Sequence, residues 1–130
     1  MNDYMQITNG EKKEWLIDQL FLSMGFCSTN TRRPFRMLTE FQHESEDNIC
    51  GSETIGCALS SYYTLDDEYY IGENKVTIID DVTEEQIIMD EADFYTYIEK
   101  YSMEYIKNNP EVKEEVIECL NNIRKRFKIQ

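Results

Sequence analysis

Residues 85–120 read EQIIMDEADFYTYIEKYSMEYIKNNPEVKEEVIECL, and this stretch decides the fold of the second half of the chain. Asp90 is of a residue type that caps helices, and a stripe of apolar side chains follows it at helical intervals. The stripe consists of Phe94, Ile98, Tyr101 and Tyr105. The spacing predicts a helix that begins after Asp90 and ends near Asn108.

A second helix is predicted directly after the first. Asn109 can serve as its N-cap, and Pro110 suits the first helical position, where its missing N–H costs nothing. Acidic residues lie near the predicted start and basic residues near the predicted end, which matches the polarity of a helix dipole. The apolar stripe consists of Val112, Val116, Leu120, Ile123 and Phe127. The two segments together predict a helical hairpin.

The segment before this hairpin has the period of β-strands. Between Glu53 and Leu65, apolar side chains alternate with smaller or polar ones, and residues 69–71 and 75–81 are also rich in strand formers. Turns are predicted at 66–68 and 72–74. Residues 87–89 fit a further short strand, although Thr83 and Gln86 also fit a helical capping box. We favour the strand.

The N-terminal part predicts one more helix, over residues 10–26. Trp15, Leu16, Ile17, Leu20, Phe21, Leu22 and Met24 form a broad apolar face, which indicates a largely buried helix. Strands followed by helices are typical of an α+β fold. We therefore expect a single domain over residues 1–130, in which a small antiparallel sheet from the central segment packs against an N-terminal helix and a C-terminal helical hairpin.

The charge of the chain is extreme and unevenly distributed. The formal net charge is -13 over 130 residues. Residues 40–93 contain sixteen acidic residues and a single lysine, Lys75. Nucleic acids and anionic membranes repel such a surface, so neither is expected as a direct partner. The acidity instead favours a basic protein as the partner.

Catalytic and metal-binding patterns are missing from the sequence. The single histidine, His43, has no cysteine at metal-ligand spacing, and no P-loop, G-x-G-x-x-G or G-x-S-x-G pattern occurs. We expect no enzyme activity and no cofactor. The start of the chain resembles no signal peptide and no apolar run is long enough to span a bilayer, so a cytoplasmic protein is expected. In that compartment Cys27, Cys50, Cys57 and Cys119 are expected to be free thiols.

A partner-binding surface is predicted where carboxylates and tyrosines alternate. Tyrosine contributes a large rigid ring to an interface, and carboxylates steer a basic partner and fix its register. The acidic turns could also be a merely solvated face, and half of the tyrosines could face the core. The predicted partner-binding residues are Glu44, Glu46, Asp47, Tyr62, Tyr63, Asp66, Asp67, Glu68, Tyr69, Tyr70, Asp80, Asp81, Glu84 and Glu85.

Residues 85–120 resemble the CdiI-type immunity proteins of bacterial contact-dependent growth inhibition, which guard against ribonuclease toxins. The similarity lies in the order of a short strand, an acidic helix start, an aromatic-rich helix, an Asn-Pro junction and a final charged helix. The predicted N-terminal helix, which ends in Met-Gly-Phe at residues 24–26, also resembles these proteins. The resemblance implies a cytosolic, non-enzymatic inhibitor that binds one cognate toxin domain, and it transfers no particular interface residue.

Three functions remain open on the sequence alone. The first is an immunity protein that binds and neutralises a cognate basic toxin domain, a nuclease, by covering its active cleft or substrate contacts. The second is an acidic nucleic-acid mimic or regulatory adaptor that binds a basic cellular protein. The third is a small enzyme that uses carboxylates and a metal. A homodimer through tyrosines of the helical hairpin, at Tyr95, Tyr97 or Tyr101, is a further possibility.

Overall fold

The computed structural model describes residues 4–23, 38, 49–51, 54–59 and 72–129. The elements, in chain order, are β1 (Met5–Gln6), α1 (Gly10–Ser23), β2 (Ile49–Gly51), β3 (Ile55–Leu59), β4 (Lys75–Asp80), β5 (Glu85–Asp90), α2 (Glu91–Asn108), a 3₁₀ turn (Pro110–Val112) and α3 (Lys113–Arg126).

Five strands of the described part form one sheet in the order β1-β5-β4-β3-β2. The strands of the central segment, β2 to β5, pair antiparallel with their neighbours, while β1 pairs parallel with β5. This architecture confirms the predicted α+β class. Strand β1 was not predicted, because two residues are too few to show an alternating pattern.

Strands β4 and β5 form a hairpin in which Ile78 lies opposite Ile87 and Asp80 lies opposite Glu85. The strand predicted at 87–89 is therefore confirmed over the helical alternative. The turn predicted at 72–74 is also confirmed: Gly72 has a φ of 114° and Asn74 a φ of 60°, so both lie in the left-handed region that tight turns use. The predicted turn at 66–68 and the strand at 69–71 lie outside the described residues.

Helix α1 buries only part of its apolar surface. Leu16, Ile17, Leu20 and Phe21 are in the core, but Trp15 is 48 % exposed and Leu22 is 41 % exposed. The prediction of a largely buried face was wrong at these two positions. The apolar run of α1 is wider than the arc that a helix presents to one neighbouring layer, so its outer members face outward. Residues 24–26 of the predicted helix lie outside the described residues.

Helices α1 and α2 are joined by a stacked pair of aromatic rings and by two hydrogen bonds from tyrosine hydroxyls. The ring of Phe21 stacks on that of Tyr101, with centroids 4.4 Å apart and planes at 4°. The Tyr101 hydroxyl donates to Asp18 Oδ1 at 2.7 Å, and the Tyr97 hydroxyl donates to Glu14 Oε1 at 2.8 Å. Each ring therefore packs between the helices while its hydroxyl is bonded at the rim.

The helical hairpin was predicted correctly, but its capping was not. Asp90 and Asn109 occupy the N-cap positions without a side-chain capping bond. The Asp90 carboxylate instead pairs with Lys75, which lies opposite it in the β4–β5 register. The Asn109 amide donates to the carbonyl oxygen of Tyr105 at 3.1 Å, back into the preceding helix. In both places the side chain bonds to another partner instead of to the backbone N–H groups at the start of the helix.

The prediction that the cysteines are free thiols holds for Cys119 but not for Cys57. Cys57 is disulfide-bonded and buried in the core, so the expectation of free thiols is wrong at this position. Pairing of β2 with β3 places the Cα of Cys57 opposite that of Cys50, a proximity that sequence spacing alone does not reveal. Cys119 forms no disulfide and packs, half-buried, against the core, as expected for a small apolar side chain.

Replacing Phe21 tests the contact between α1 and α2. Phe21→Ala removes a fully buried ring and leaves a cavity, so we expect the free energy of unfolding to fall by about 3–5 kcal/mol. The matched control is Leu22→Ala, one residue further on and partly exposed, with an expected loss of about 1 kcal/mol or less. Urea unfolding followed by circular dichroism measures both, and equal losses would contradict this packing.

Candidate functional site

The end of the β4–β5 hairpin gathers four of the predicted partner-binding residues. The loop and first residue of β5, residues 81–85, are called the hairpin tip below. Main-chain bonds hold this tip from both sides. Met5 N donates to Glu84 O at 3.0 Å from β1, and Asp81 N donates to Thr54 O at 2.8 Å beside β3. The tip is therefore bonded to both neighbouring parts of the chain at one end of the sheet.

Asp80 shapes the tip from within. Its side chain is only 4 % exposed, and its Oδ1 accepts bonds from the backbone N–H groups of Val82, at 3.0 Å, and Thr83, at 3.4 Å. An aspartate that bonds to the main chain two and three residues ahead stabilises a turn. Of the predicted partner-binding residues, Asp80 thus serves the loop itself, and its carboxylate does not face outward.

Asp81 and Glu84 present their carboxylates at the surface. Both residues are exposed, and Val82 between them is exposed as well. The Tyr4 hydroxyl donates to Asp81 Oδ1 at 2.7 Å and so orients that carboxylate. Glu84 has a φ of 58°, a left-handed conformation that costs a non-glycine residue about 1 kcal/mol or more and that often accompanies functional loops.

Glu85 is engaged by helix α1. Its Oε1 lies 2.9 Å from Lys12 Nζ. The hydrogen bond from Lys12 holds the pKa of the Glu85 carboxyl below its ordinary value, and the same bond raises the pKa of the Lys12 ammonium group. Glu85 therefore remains ionised at neutral pH, with part of its charge compensated.

The other predicted partner-binding residues lie outside the described residues. They are Glu44, Glu46, Asp47, Tyr62, Tyr63, Asp66, Asp67, Glu68, Tyr69 and Tyr70. Their contribution stays a prediction.

Two exposed apolar side chains beside the tip were not among the predicted partner-binding residues. Met5 is 73 % exposed on β1, and the exposed ring of Trp15 on α1 lies 5.5 Å from Nζ of Lys12, which pairs with Glu85. The signal for Trp15 was its position among charged residues, in the run EKKEW at 11–15. No comparable signal marks Met5, because its place depends on a parallel strand pairing.

Tyr95, Tyr97 and Tyr101 of α2, through which a homodimer was considered possible, have their hydroxyls bonded within the chain. Tyr95 is buried and bonds to Glu99, while Tyr97 and Tyr101 bond to α1. Burial, with the nearby Glu99 carboxylate, raises the pKa of Tyr95 to about 12. Burial and the bond to Glu14 likewise raise the pKa of Tyr97. These hydroxyls serve the fold.

A cleft of about 550 Å³ lies between α1, β5 and the first turns of α2. Inside it Lys75 pairs with Asp90, and Glu14 accepts a hydrogen bond from the Tyr97 hydroxyl. Within the described ranges, no group of three or more His, Cys, Asp or Glu residues could hold a metal ion. None of the helices that the structure describes is long and apolar enough to cross a membrane.

The fold is an acidic α+β domain whose hairpin tip carries exposed carboxylates at one end of the sheet. Comparison with known proteins assigns the family: a model described as CDI immunity protein matches residues 13–120. The chain therefore belongs to the CDI immunity protein family of contact-dependent growth inhibition. Membership implies that it neutralises a toxin, and it favours a non-catalytic inhibitor. No curated protein and no solved structure matches the chain.

Replacing Asp80 separates a role in folding from a role in binding. Asp80→Ala leaves the N–H groups of Val82 and Thr83 without their acceptor, so we expect a loss of about 1–3 kcal/mol in the free energy of unfolding. Asp80→Asn keeps an acceptor oxygen and should retain most of the stability. Equal losses in the two variants by urea unfolding would show that the charge, not the turn, is what matters.

The Lys12–Glu85 pair predicts a measurable titration. Because the folded pKa of Glu85 is lowered, the stabilisation from the pair is present above the unfolded pKa and is lost as the pH falls through the folded value. In Lys12→Met the Glu85 pKa should rise toward its ordinary value of 4.5. Carbon-detected NMR of the carboxyl group measures it, and an unchanged pKa would contradict the pairing.

Proposed function

We propose that this chain neutralises a cognate basic toxin domain, a nuclease, and that the hairpin tip forms part of the surface that binds it. The proposal rests chiefly on one observation: Asp81 and Glu84 are exposed on a tip that main-chain bonds to β1 and Thr54 hold in place. Family membership supports toxin neutralisation, and the acidity supports a basic toxin.

A nuclease is the favoured class of toxin on physical grounds. An enzyme that cleaves nucleic acid must attract phosphates, so its active cleft is basic. An acidic surface complementary to that cleft binds quickly, because opposite potentials steer the encounter, and it excludes the substrate from the same charges. The net charge of -13 adds long-range attraction to the local contacts of the tip.

The geometry of the tip suits tight binding. Asp81 is oriented by Tyr4, and the loop is fixed by Asp80, so little conformational entropy is lost when the carboxylates meet basic side chains. We include the acidic and tyrosine residues at 44–47 and 62–70 in the proposed surface on the strength of their sequence pattern alone. The proposed partner is one toxin domain, bound by the chain in the cytoplasm.

Charge reversal at the tip tests this proposal. The variant Asp81→Lys with Glu84→Lys should bind the inactive form of the toxin domain encoded immediately upstream about tenfold or more weakly, with a shallower dependence on salt. Isothermal titration at two salt concentrations measures both quantities.

The matched control changes the net charge by the same amount elsewhere. Glu114→Lys with Glu118→Lys alters two exposed carboxylates on α3, far along the chain from the tip. We expect this variant to lose affinity only slightly. Equal losses in the two double variants would mean that overall charge governs binding, and the tip would then have no special part in it.

A further inference from the structure

Trp15 is the only tryptophan of the chain, and nearly half of its surface is exposed on α1. The adjacent Leu16 and Ile17 are buried, so the helix is firmly anchored while the indole points outward. Single exposed apolar residues are common on protein surfaces and need no explanation. The surroundings of Trp15 are what make it informative.

Lys12 connects Trp15 to the hairpin tip. Its Nζ lies 2.9 Å from Glu85 Oε1 and 5.5 Å from the centroid of the Trp15 ring. The ammonium group therefore contacts a carboxylate on one side and the face of an aromatic ring on the other. Both contacts are favourable, and together they link the indole to Glu85 of the tip.

Met5 lies next to Glu85 on the neighbouring strand β1. It is opposite Glu85 in the parallel β1–β5 register, and residues paired in this way direct their side chains to the same face of a sheet. Glu85 reaches Lys12 of α1 from that face. Met5, Glu85, Lys12 and Trp15 are thus connected stepwise by strand register, ion pair and ring contact, and the four residues are called the Met5–Trp15 patch below.

The composition of this patch is that of the centre of a protein interface. Tryptophan, methionine and aromatic residues are enriched where partners exclude water, and tryptophan is among the residues that contribute most binding energy. The exposed residues Asp81 and Glu84 belong to the adjoining tip, and Met5 N donates to Glu84 O, so the patch borders an acidic loop that serves as its acidic margin. An apolar centre with an acidic margin is complementary to an apolar side chain surrounded by lysines or arginines.

We propose that the Met5–Trp15 patch is the apolar anchor site for the cognate toxin domain. An apolar side chain of the toxin packs against Met5 and Trp15, and basic residues around it meet Asp81 and Glu84. The occupant is the toxin domain, because the acidic margin selects a basic partner and a second copy of this chain would bring like charges together. This assignment rests on the proposed function.

The single tryptophan provides a direct readout. Immunity protein labelled with 5-fluorotryptophan has one ¹⁹F resonance, which reports only on Trp15, whatever residues the toxin contains. Titration with the unlabelled, inactive toxin domain should shift this resonance, with saturation at the same stoichiometry that calorimetry gives. Trp15→Ala should weaken binding by about 30-fold, and Met5→Ala by a smaller factor.

The control is Met103→Ala, which truncates an exposed apolar side chain on α2 and should change the affinity by no more than about twofold. Binding by calorimetry without a ¹⁹F shift, and with Trp15→Ala as tight as the unmodified protein, would overturn the anchor site but leave the proposed function intact. Absence of any binding by the unmodified protein would overturn both. A shift together with a selective loss in Trp15→Ala would establish the site.

Discussion

The pairing of β4 with β5 is the contact on which the rest of the structure depends. β5 pairs with β4 along one edge and with β1 along the other, and it runs without a break into α2. An ion pair between Lys75 and Asp90 joins the two strands at the end away from the tip. At the tip, the Asp80 carboxylate accepts a hydrogen bond from Val82 N. Loss of this register would separate β1, the tip and the start of α2 at once, and with them every described part of the proposed binding surface.

The acidic residues of the chain have two physical roles that the net charge alone does not distinguish. Asp80, Asp90 and Glu85 are used within the fold, as a turn acceptor and as partners of two lysines. Asp81 and Glu84 remain at the surface of a tip that the first group holds in place. Some carboxylates of this chain therefore hold its own loop and strand ends in place. In the proposed interface this order would reduce the conformational entropy that Asp81 and Glu84 lose on binding.

The sequence predicted the elements whose signal is local and periodic, and it failed where the outcome depends on distant partners. The helical hairpin and strands β3 to β5 follow from spacing within the segment. Strand β1 could not be predicted, because it exists only through pairing with residues about eighty positions away. The acidic candidates at the tip were predicted from charge. Charge alone does not show that Asp80 is buried and bonds to the loop while Asp81 is exposed, because this difference depends on loop geometry. Trp15 was assigned to the core, since an apolar run does not reveal which arc of the helix its neighbours will cover.

This acidic member of the CDI immunity protein family neutralises a toxin, and we propose that the toxin is a nuclease that the chain inactivates by binding it. The most direct test is to titrate the active toxin domain encoded immediately upstream with purified immunity protein while RNA cleavage is followed. The account predicts that cleavage falls in proportion to added protein and ceases at one molar equivalent. Cleavage that continues unchanged in the presence of a large molar excess would contradict it.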